Sequence, residues 1–327
     1  MRAEQHSERQ RLLDVVPLKQ PFVLIIDPCG VCNFKCSFCP CNISTVNREQ
    51  RHVIMNMELF EKIVHDIGAF PEKIKAIDLY GFGEPLLNKN LPEMIKMLKG
   101  ANVCDKIRLS TNGALLNEEM GRNLCEAGLD YMKISIEALD DEGYREICGT
   151  DVKYYDIVNN IGNFYDKWGG QGTEVGIKII SSAIKSEADK QRFLETFTPV
   201  SDYIFIETVK SIWAEFEEID IPQTERKEDD YYTEHTRGYD ICSYPLTNMM
   251  VHSNGDIGLC CLDWKHATSY ANVKETSLLE AWNSKELREF RIKHLQRRRN
   301  EVPFCNKCIQ KGYDDVDADA EELIKKL

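Results

Sequence analysis

Cys32-Asn33-Phe34-Lys35-Cys36-Ser37-Phe38-Cys39 lies shortly after a β-rich run, Phe22–Ile26. Its three thiols have C-x3-C-x2-C spacing and share one short loop. Thiolates are soft ligands, so the loop points to zinc or to an iron–sulfur cluster. A structural zinc wants four ligands, and Cys29 or Cys41 could supply the fourth. Three thiolates can instead hold three irons of a 4Fe–4S cube and leave the fourth iron open.

Working outward, β-rich runs alternate with helical ones from about residue 21 to 210. The expected strands are Phe22–Ile26, Ile74–Tyr80, Ile107–Thr111, Tyr131–Ile136, Val175–Ile180 and Tyr203–Glu207. Between them, Met57–Ile67 carries Leu59, Phe60, Ile63, Val64 and Ile67 at helical spacing, with Gly68 as a stop. Asn90 and Asn117 suit the N-caps of the next two helices, with Gly100 and Gly128 at their ends. Such βα units make an α/β protein with a mainly parallel sheet, either a partial (β/α)6 barrel or an open sheet. Functional loops then gather at the C-terminal strand ends. After about residue 215 the pattern changes. Ala214–Asp240 is charged and aperiodic, and Ile241–Leu327 holds a second cysteine group, a basic amphipathic stretch (Ser277–Arg299) and an acidic terminal helix (Asp314–Leu327). The expected organisation is an N-terminal extension (1–20), a barrel (21–215), a linker (216–240) and a small α+β domain (241–327).

The bulk composition narrows the function. No run of about 18 apolar residues occurs, so no membrane partner is expected. The polar N-terminus lacks a secretory apolar core, which argues for a cytoplasmic protein. A net charge of -13 argues against binding a phosphate backbone. In a reducing compartment the 13 cysteines read as ligands rather than disulfides. Ten cluster: Cys29, Cys32, Cys36, Cys39 and Cys41 near the start, and Cys242, Cys260, Cys261, Cys305 and Cys308 near the end.

With its strand-end motifs, the chain resembles the radical SAM superfamily. The resemblance implies that Cys32, Cys36 and Cys39 ligate a 4Fe–4S cluster whose open iron binds S-adenosylmethionine. Phe38 matches the aromatic position whose backbone meets the adenine. Gly81-Phe82-Gly83-Glu84-Pro85 resembles the Gly-Gly-Glu motif, with Phe82 for the first Gly. It implies that Gly83 and Glu84 receive the methionyl ammonium, for which a carboxylate and closely approaching backbone are suited. Ser110-Thr111-Asn112-Gly113, taken alone a β-turn, would lie beside the methionine moiety through Ser110 and Asn112. Ser135 and Glu137 point to the same side of their strand and match the ribose-binding positions. Many relatives carry Arg just before the Gly where this chain has Cys148-Gly149. Arg145 is a possible substitute, and both stand outside the expected cofactor contacts.

In the second group, Cys242-x12-Gly255-x4-Cys260 precedes Cys305-x2-Cys308. Asn254-Gly255 signals a hairpin, expected to bring Cys242 and Cys260 together on adjacent strands. Four cysteines by spacing suit zinc or a cluster equally. The segment resembles the SPASM or twitch extension, whose one-cluster form implies an auxiliary 4Fe–4S cluster on Cys242, Cys260, Cys305 and Cys308. Cys261 is a rival ligand or a free thiol, and His252 and His266 read as ordinary histidines. The layout is most similar to the twitch-type dehydrogenases of 2-deoxystreptamine biosynthesis, but architecture does not name a substrate. The expected activity is hydrogen abstraction by a 5′-deoxyadenosyl radical and oxidation of a small alcohol of sugar or aminocyclitol type. The auxiliary cluster would accept the electron, and a flavodoxin- or ferredoxin-type protein would serve as reductant. Alternatives are an epimerase, with Cys148 or Cys261 returning hydrogen, a peptide-modifying enzyme, and a non-catalytic zinc or iron–sulfur scaffold.

Overall fold

The structure is a computed structural model that describes residues 11–43, 48–207, 240–308 and 316–327. Six strands run parallel: β1 (Val23–Ile26), β2 (Ile74–Leu79), β3 (Cys104–Thr111), β4 (Tyr131–Ile136), β5 (Glu174–Ile180) and β6 (Tyr203–Glu207). Each lies within a residue or so of its expected bounds, except that β3 begins three residues early. Three more follow: β7 (Asn248–Val251), β8 (Asp256–Gly258) and β9 (Ala271–Asn272). The order is β6-β5-β4-β3-β2-β1-β7-β8-β9 in one sheet.

The helices pack on one face of the parallel part. Leu59, Phe60, Ile63, Val64 and Ile67 of the helix Met57–Ile67 are all buried, and the Asn56 side chain accepts from Leu59 N at 2.9 Å. Such a cap is worth about 1 kcal/mol. Ile77, Leu79, Ile107, Leu109, Met132, Ile134, Ile136, Ile177 and Ile179 point into this helix-side core. The alternate residues of the same strands face the other way, and there the sheet is charged: Asp78, Arg108, Lys133 and Lys178 lie on this inner face.

Two cap expectations change. Asn117 accepts from Met120 N at 2.9 Å, but Asn90 makes no side-chain cap bond. The helix Leu91–Ala101 runs past Gly100 and closes on Asn102, which takes the left-handed conformation (φ 53°) that asparagine tolerates better than most residues.

The C-terminal part joins the barrel sheet directly. β7 pairs in parallel with β1, from Val23↔Asn248 to Ile26↔Val251. Gly255 (φ 95°) turns the expected hairpin into antiparallel β8. Cys242 is not on a strand, contrary to expectation. It sits in irregular backbone before the short helix Tyr244–Thr247, while Cys260 follows β8. Ser277–Arg299 forms two helices, Leu278–Trp282 and Lys285–Leu295, because Ser284 caps a second start. The terminal helix is Ala320–Lys326. The expected linker, apart from Asp240, and the expected helix start at Asp314 lie outside the described residues. The N-terminal extension packs on the C-terminal part: Leu12 and Val16 bury against Ile241, Leu246, Leu295 and Leu323, and Trp282 Nε1 donates to Leu18 O at 2.9 Å.

Candidate cluster and S-adenosylmethionine site

The cysteine loop begins where β1 ends, and backbone bonds hold it on two sides. Lys35 N donates to Cys148 O at 2.7 Å and Ser37 N to Ile147 O at 2.8 Å, fastening it to the end of the helix Asp141–Cys148. Glu84 N donates to Val31 O at 2.8 Å, fastening it to the end of β2. Gly83 is required there. A Cβ on it would stand 2.1 Å from Cys29 O and 2.3 Å from Val31 O. Gly83 therefore touches the cluster loop with its backbone.

Cys32, Cys36 and Cys39 are partly exposed, whereas Cys29 and Cys41 are buried. Cys32 Sγ accepts from Phe34 N at 3.4 Å, a bond that suits a thiolate. Burial pushes its pKa up to about 12. Cys36 is raised first by its contact with the Cys148 thiol and then by burial, and Cys39 is lowered by its contact with Cys41. Cys29 is buried and donates to Val31 O at 3.3 Å, with a pKa raised to about 11 by burial, and Cys41 is buried as well. Thiolates in this half-buried loop would need a compensating positive charge, which bound iron would supply.

The strand-end motifs converge on the same loop. The buried Glu84 carboxylate accepts from Leu86 N (3.0 Å), Thr111 Oγ1 (2.6 Å) and Asn112 N (2.8 Å). Three of its roughly four acceptor positions are thus used within the protein. Burial raises its pKa and these bonds oppose the rise. Glu84 chiefly ties the β2 end to the β3 end. Asn112 Nδ2 donates to Asn33 Oδ1 at 2.8 Å and lies 4.0 Å from Cys32 Sγ. Asn33 and Thr111 were not singled out in the sequence. Their signal was adjacency, to a ligand and to Asn112 respectively. Ser110 and Phe38 are partly buried. Ser135 and Glu137 share the inner face of β4. Glu137 is buried, its Oε2 has no partner, and burial raises its pKa. An orphaned carboxylate oxygen at a strand end fits a ribose hydroxyl donor. Phe82 fills the space of the missing Gly productively: it is buried with Ile25, Met250 and Trp264 and stacks on His252, 5.8 Å between centroids.

Arg145 does not reach this site; it is exposed and faces Asp151 at 3.6 Å. The Cys148 thiol is buried in the helix-side core beside Cys36. His252 and His266 stack at 3.6 Å and pack against Phe82, and burial keeps His252 well below its usual pKa.

The second thiol group draws on three segments, and among the described residues no three of its side chains are close enough to share a metal ion as they stand. Cys242, Cys305 and Cys308 lie close enough to perturb one another electrostatically, and Cys242 also perturbs Cys260. Burial pushes Cys242 up to about 12 and Cys305 higher still. Leu262 N donates to Cys260 Sγ at 3.3 Å, echoing the bond to Cys32. Cys261 touches the Cys260 thiol and also the barrel, where Tyr80, just after β2, donates its hydroxyl to Cys261 Sγ at 3.6 Å. Along the inner face, Arg108 bonds Asp78 (2.7 Å to Oδ2), Lys178 pairs with Glu207, and Lys133 Nζ lies 6.0 Å from the Tyr80 ring centre. Sequence reading missed Tyr80 and Lys133.

The model of the radical SAM superfamily matches residues 26–178, and that of the SPASM iron–sulfur cluster-binding domain matches residues 242–309. A GTP 3′,8-cyclase of Staphylococcus epidermidis is 28% identical over 194 residues, 58% of this chain and 52% of that protein. The chain spans only about a third to a half of the length of the first curated relatives. In fold, the chain is similar to BtrN in complex with AdoMet and 2-DOIA, with TM-score 0.57 and 17% identity over 88% of this chain and 92% of that one. SuiB of Streptococcus suis bound to precursor peptide SuiA gives TM-score 0.62 and 18% identity over 82% of this chain and 66% of that one. The two family models together take in well over half of the sequence, each over one of the thiol groups just described. The chain therefore carries a radical SAM superfamily domain followed by a SPASM iron–sulfur cluster-binding domain, and these domains imply S-adenosylmethionine, a 4Fe–4S cluster and an auxiliary 4Fe–4S cluster.

Proposed function

We propose that this enzyme oxidises a secondary alcohol of a small polyhydroxylated molecule, of sugar or aminocyclitol type, to a ketone. When bound, the first cluster and S-adenosylmethionine supply a 5′-deoxyadenosyl radical that removes hydrogen from an unactivated carbon. In this reading Cys32, Cys36 and Cys39 hold that cluster, and Phe38, Gly83, Glu84, Ser110, Asn112, Ser135 and Glu137 hold and orient S-adenosylmethionine. Cys242, Cys260, Cys305 and Cys308 hold the auxiliary cluster. One observation carries the reading: the Tyr80–Cys261 contact joins the second thiol group to the inner face of the barrel, where the first group opens. An electron leaving a substrate radical on that face has a nearby acceptor. The charged inner face suits a hydroxylated substrate, and a flavodoxin- or ferredoxin-type protein is the expected reductant.

The test is anaerobic reconstitution, with iron near eight per chain for two cubes, followed by a panel of carbinol-deuterated cyclitols and hexosides. GTP joins the panel because of the cyclase relatives. Deuterium in 5′-deoxyadenosine with a ketone product and no net reductant use supports the proposal. A cyclised nucleotide, or two bound zincs, defeats it.

A second reading, epimerisation, has one observation in its favour. Cys261 reaches the barrel face, whereas Cys148 is buried behind the loop, so only Cys261 of the two candidate thiols is placed to return hydrogen. Solvent deuterium at an inverted carbon would distinguish that outcome.

A further inference from the structure

Oxidising a carbinol removes a hydrogen atom, an electron and a proton. With S-adenosylmethionine and both clusters bound, the hydrogen atom and the electron would each have an acceptor, which leaves the hydroxyl proton without one. From the inner face of the barrel we infer that Lys133 Nζ, as a neutral amine, takes this proton; the inference rests on the alcohol oxidation proposed above. The O–H bond breaks, an N–H bond forms on Lys133, and the oxygen's electron pair completes the carbonyl as the electron leaves.

The argument is by position and by elimination. Lys133 lies on β4 two residues before Ser135, on the same face, and its register neighbours are Ser110 on β3 and Gly176 on β5. It therefore lies deeper along the strand than Ser135 and Glu137. Its amine rests over the Tyr80 ring, and Tyr80 touches Cys261, so the proton acceptor adjoins the electron's route. The other inner-face groups are committed, Cys261 through its contacts with Cys260 and Tyr80. Arg108 is bound to Asp78 and an arginine does not act as a base in this range. Lys178 is paired with Glu207. Tyr80 is pushed well up by burial and holds its proton. Glu137 sits at the strand end, where it is expected to meet the ribose. Among the described residues Lys133 makes no hydrogen bond or ion pair. Burial and the neighbouring Lys178 lower its pKa, while Glu207, Asp78 and Cys261 oppose this more weakly. A lysine so placed carries a larger neutral fraction near neutrality than an exposed one, which is what a base needs.

Two measurements test this. The first needs no turnover. The cluster-loaded protein, without S-adenosylmethionine, is pulsed with acetic anhydride across pH 6–11 (about the lysine titration range), and acetylation at Lys133 is compared with exposed Lys285 by mass spectrometry. Lys133 should reach half-reactivity at lower pH. Coincident curves, or no labelling of Lys133 at any pH, overturn the inference. The second uses whichever deuterated alcohol of the panel labels 5′-deoxyadenosine. Lys133→Met should still transfer deuterium while ketone formation falls about 10²–10⁴-fold, and Lys133→Arg should fail likewise. Ketone formed by Lys133→Met at the wild-type rate and pH profile overturns the role of Lys133 and leaves the oxidation standing. Deuterium transfer without ketone in the wild type overturns both.

Discussion

Gly83→Ala is the sharpest test of how the first loop is held. The added Cβ would stand 2.1 Å from Cys29 O and 2.3 Å from Val31 O, both backbone atoms that no rotamer can move. Carbon and carbonyl oxygen rest no closer than about 3.3 Å, so the loop must retreat by about 1 Å. Overpacking of this kind costs about 1–3 kcal/mol. The retreat also strains the Glu84 N–H bond to Val31 O, worth about 1 kcal/mol more. The expected loss is about 2–4 kcal/mol, concentrated at the cluster loop. Reconstituted protein should then carry about four irons rather than about eight, because the second thiol group lies on other segments. Iron and sulfide analysis, electron paramagnetic resonance of each cluster and the urea midpoint read the effect. Gly100→Ala is the internal control. Its Cβ meets nothing within 4 Å in the helix Leu91–Ala101, so it should stabilise by up to about 1 kcal/mol. A Gly83→Ala protein with full iron and an unchanged midpoint would refute the account of the loop.

Three further outcomes are expected. Cys305→Ser should remove the auxiliary cluster, halve the iron and abolish ketone formation, while 5′-deoxyadenosine still forms on reduction; retained iron would show Cys305 is no ligand. Cys261→Ser should keep the iron and the ketone, whereas retained iron with lost turnover and lost solvent deuterium would favour epimerisation. Asp27→Asn tests a buried carboxyl whose pKa burial raises from 3.8 to about 6. The folded state binds this proton more tightly than the unfolded one, so stability falls as pH rises through that window, by at most roughly 3 kcal/mol. Asn keeps the acceptor for Cys29 N (3.2 Å) and removes the charge, so the variant should lose that slope and be the more stable at pH 7; urea midpoints across the window decide it, and parallel curves would contradict it.

What the sequence disclosed follows the range of the interactions involved. β1 to β6 and the helix Met57–Ile67 were legible because periodicity and caps are local. The end of Leu91–Ala101 was misplaced because Asn102, not Gly100, takes the left-handed cap. The alternation Lys133-Ile134-Ser135-Ile136-Glu137 was read for its last members only. Extending it back two residues would have put Lys133 on the same face, but that Tyr80 and Cys261 lie beyond it is a tertiary fact. Likewise Glu84 was legible as a motif residue, yet its bonds to Thr111 and Asn112 depend on β2 and β3 ending side by side. The pairing of β7 with β1 joins segments more than two hundred residues apart, and nothing local in either strand announces it.

That pairing decides how the two thiol groups stand to each other. The first loop leaves β1 at Asp27, whose N–H donates to Val251 O of β7 at 2.9 Å. The second group follows from the hairpin that β7 begins, and the strand on the other side of β1 ends in Tyr80, which touches Cys261. Three adjacent strands, β2, β1 and β7, therefore carry Gly83 and Glu84 of the expected adenosylmethionine contacts, the first cluster loop and the approach to the second. A sheet ladder fixes such neighbours in register, and a one-residue slip would turn every inward residue outward. A tethered domain on a flexible linker would leave the separation of the two groups to chance. A shared sheet holds it constant, and a constant separation is what the proposed route for a single electron requires.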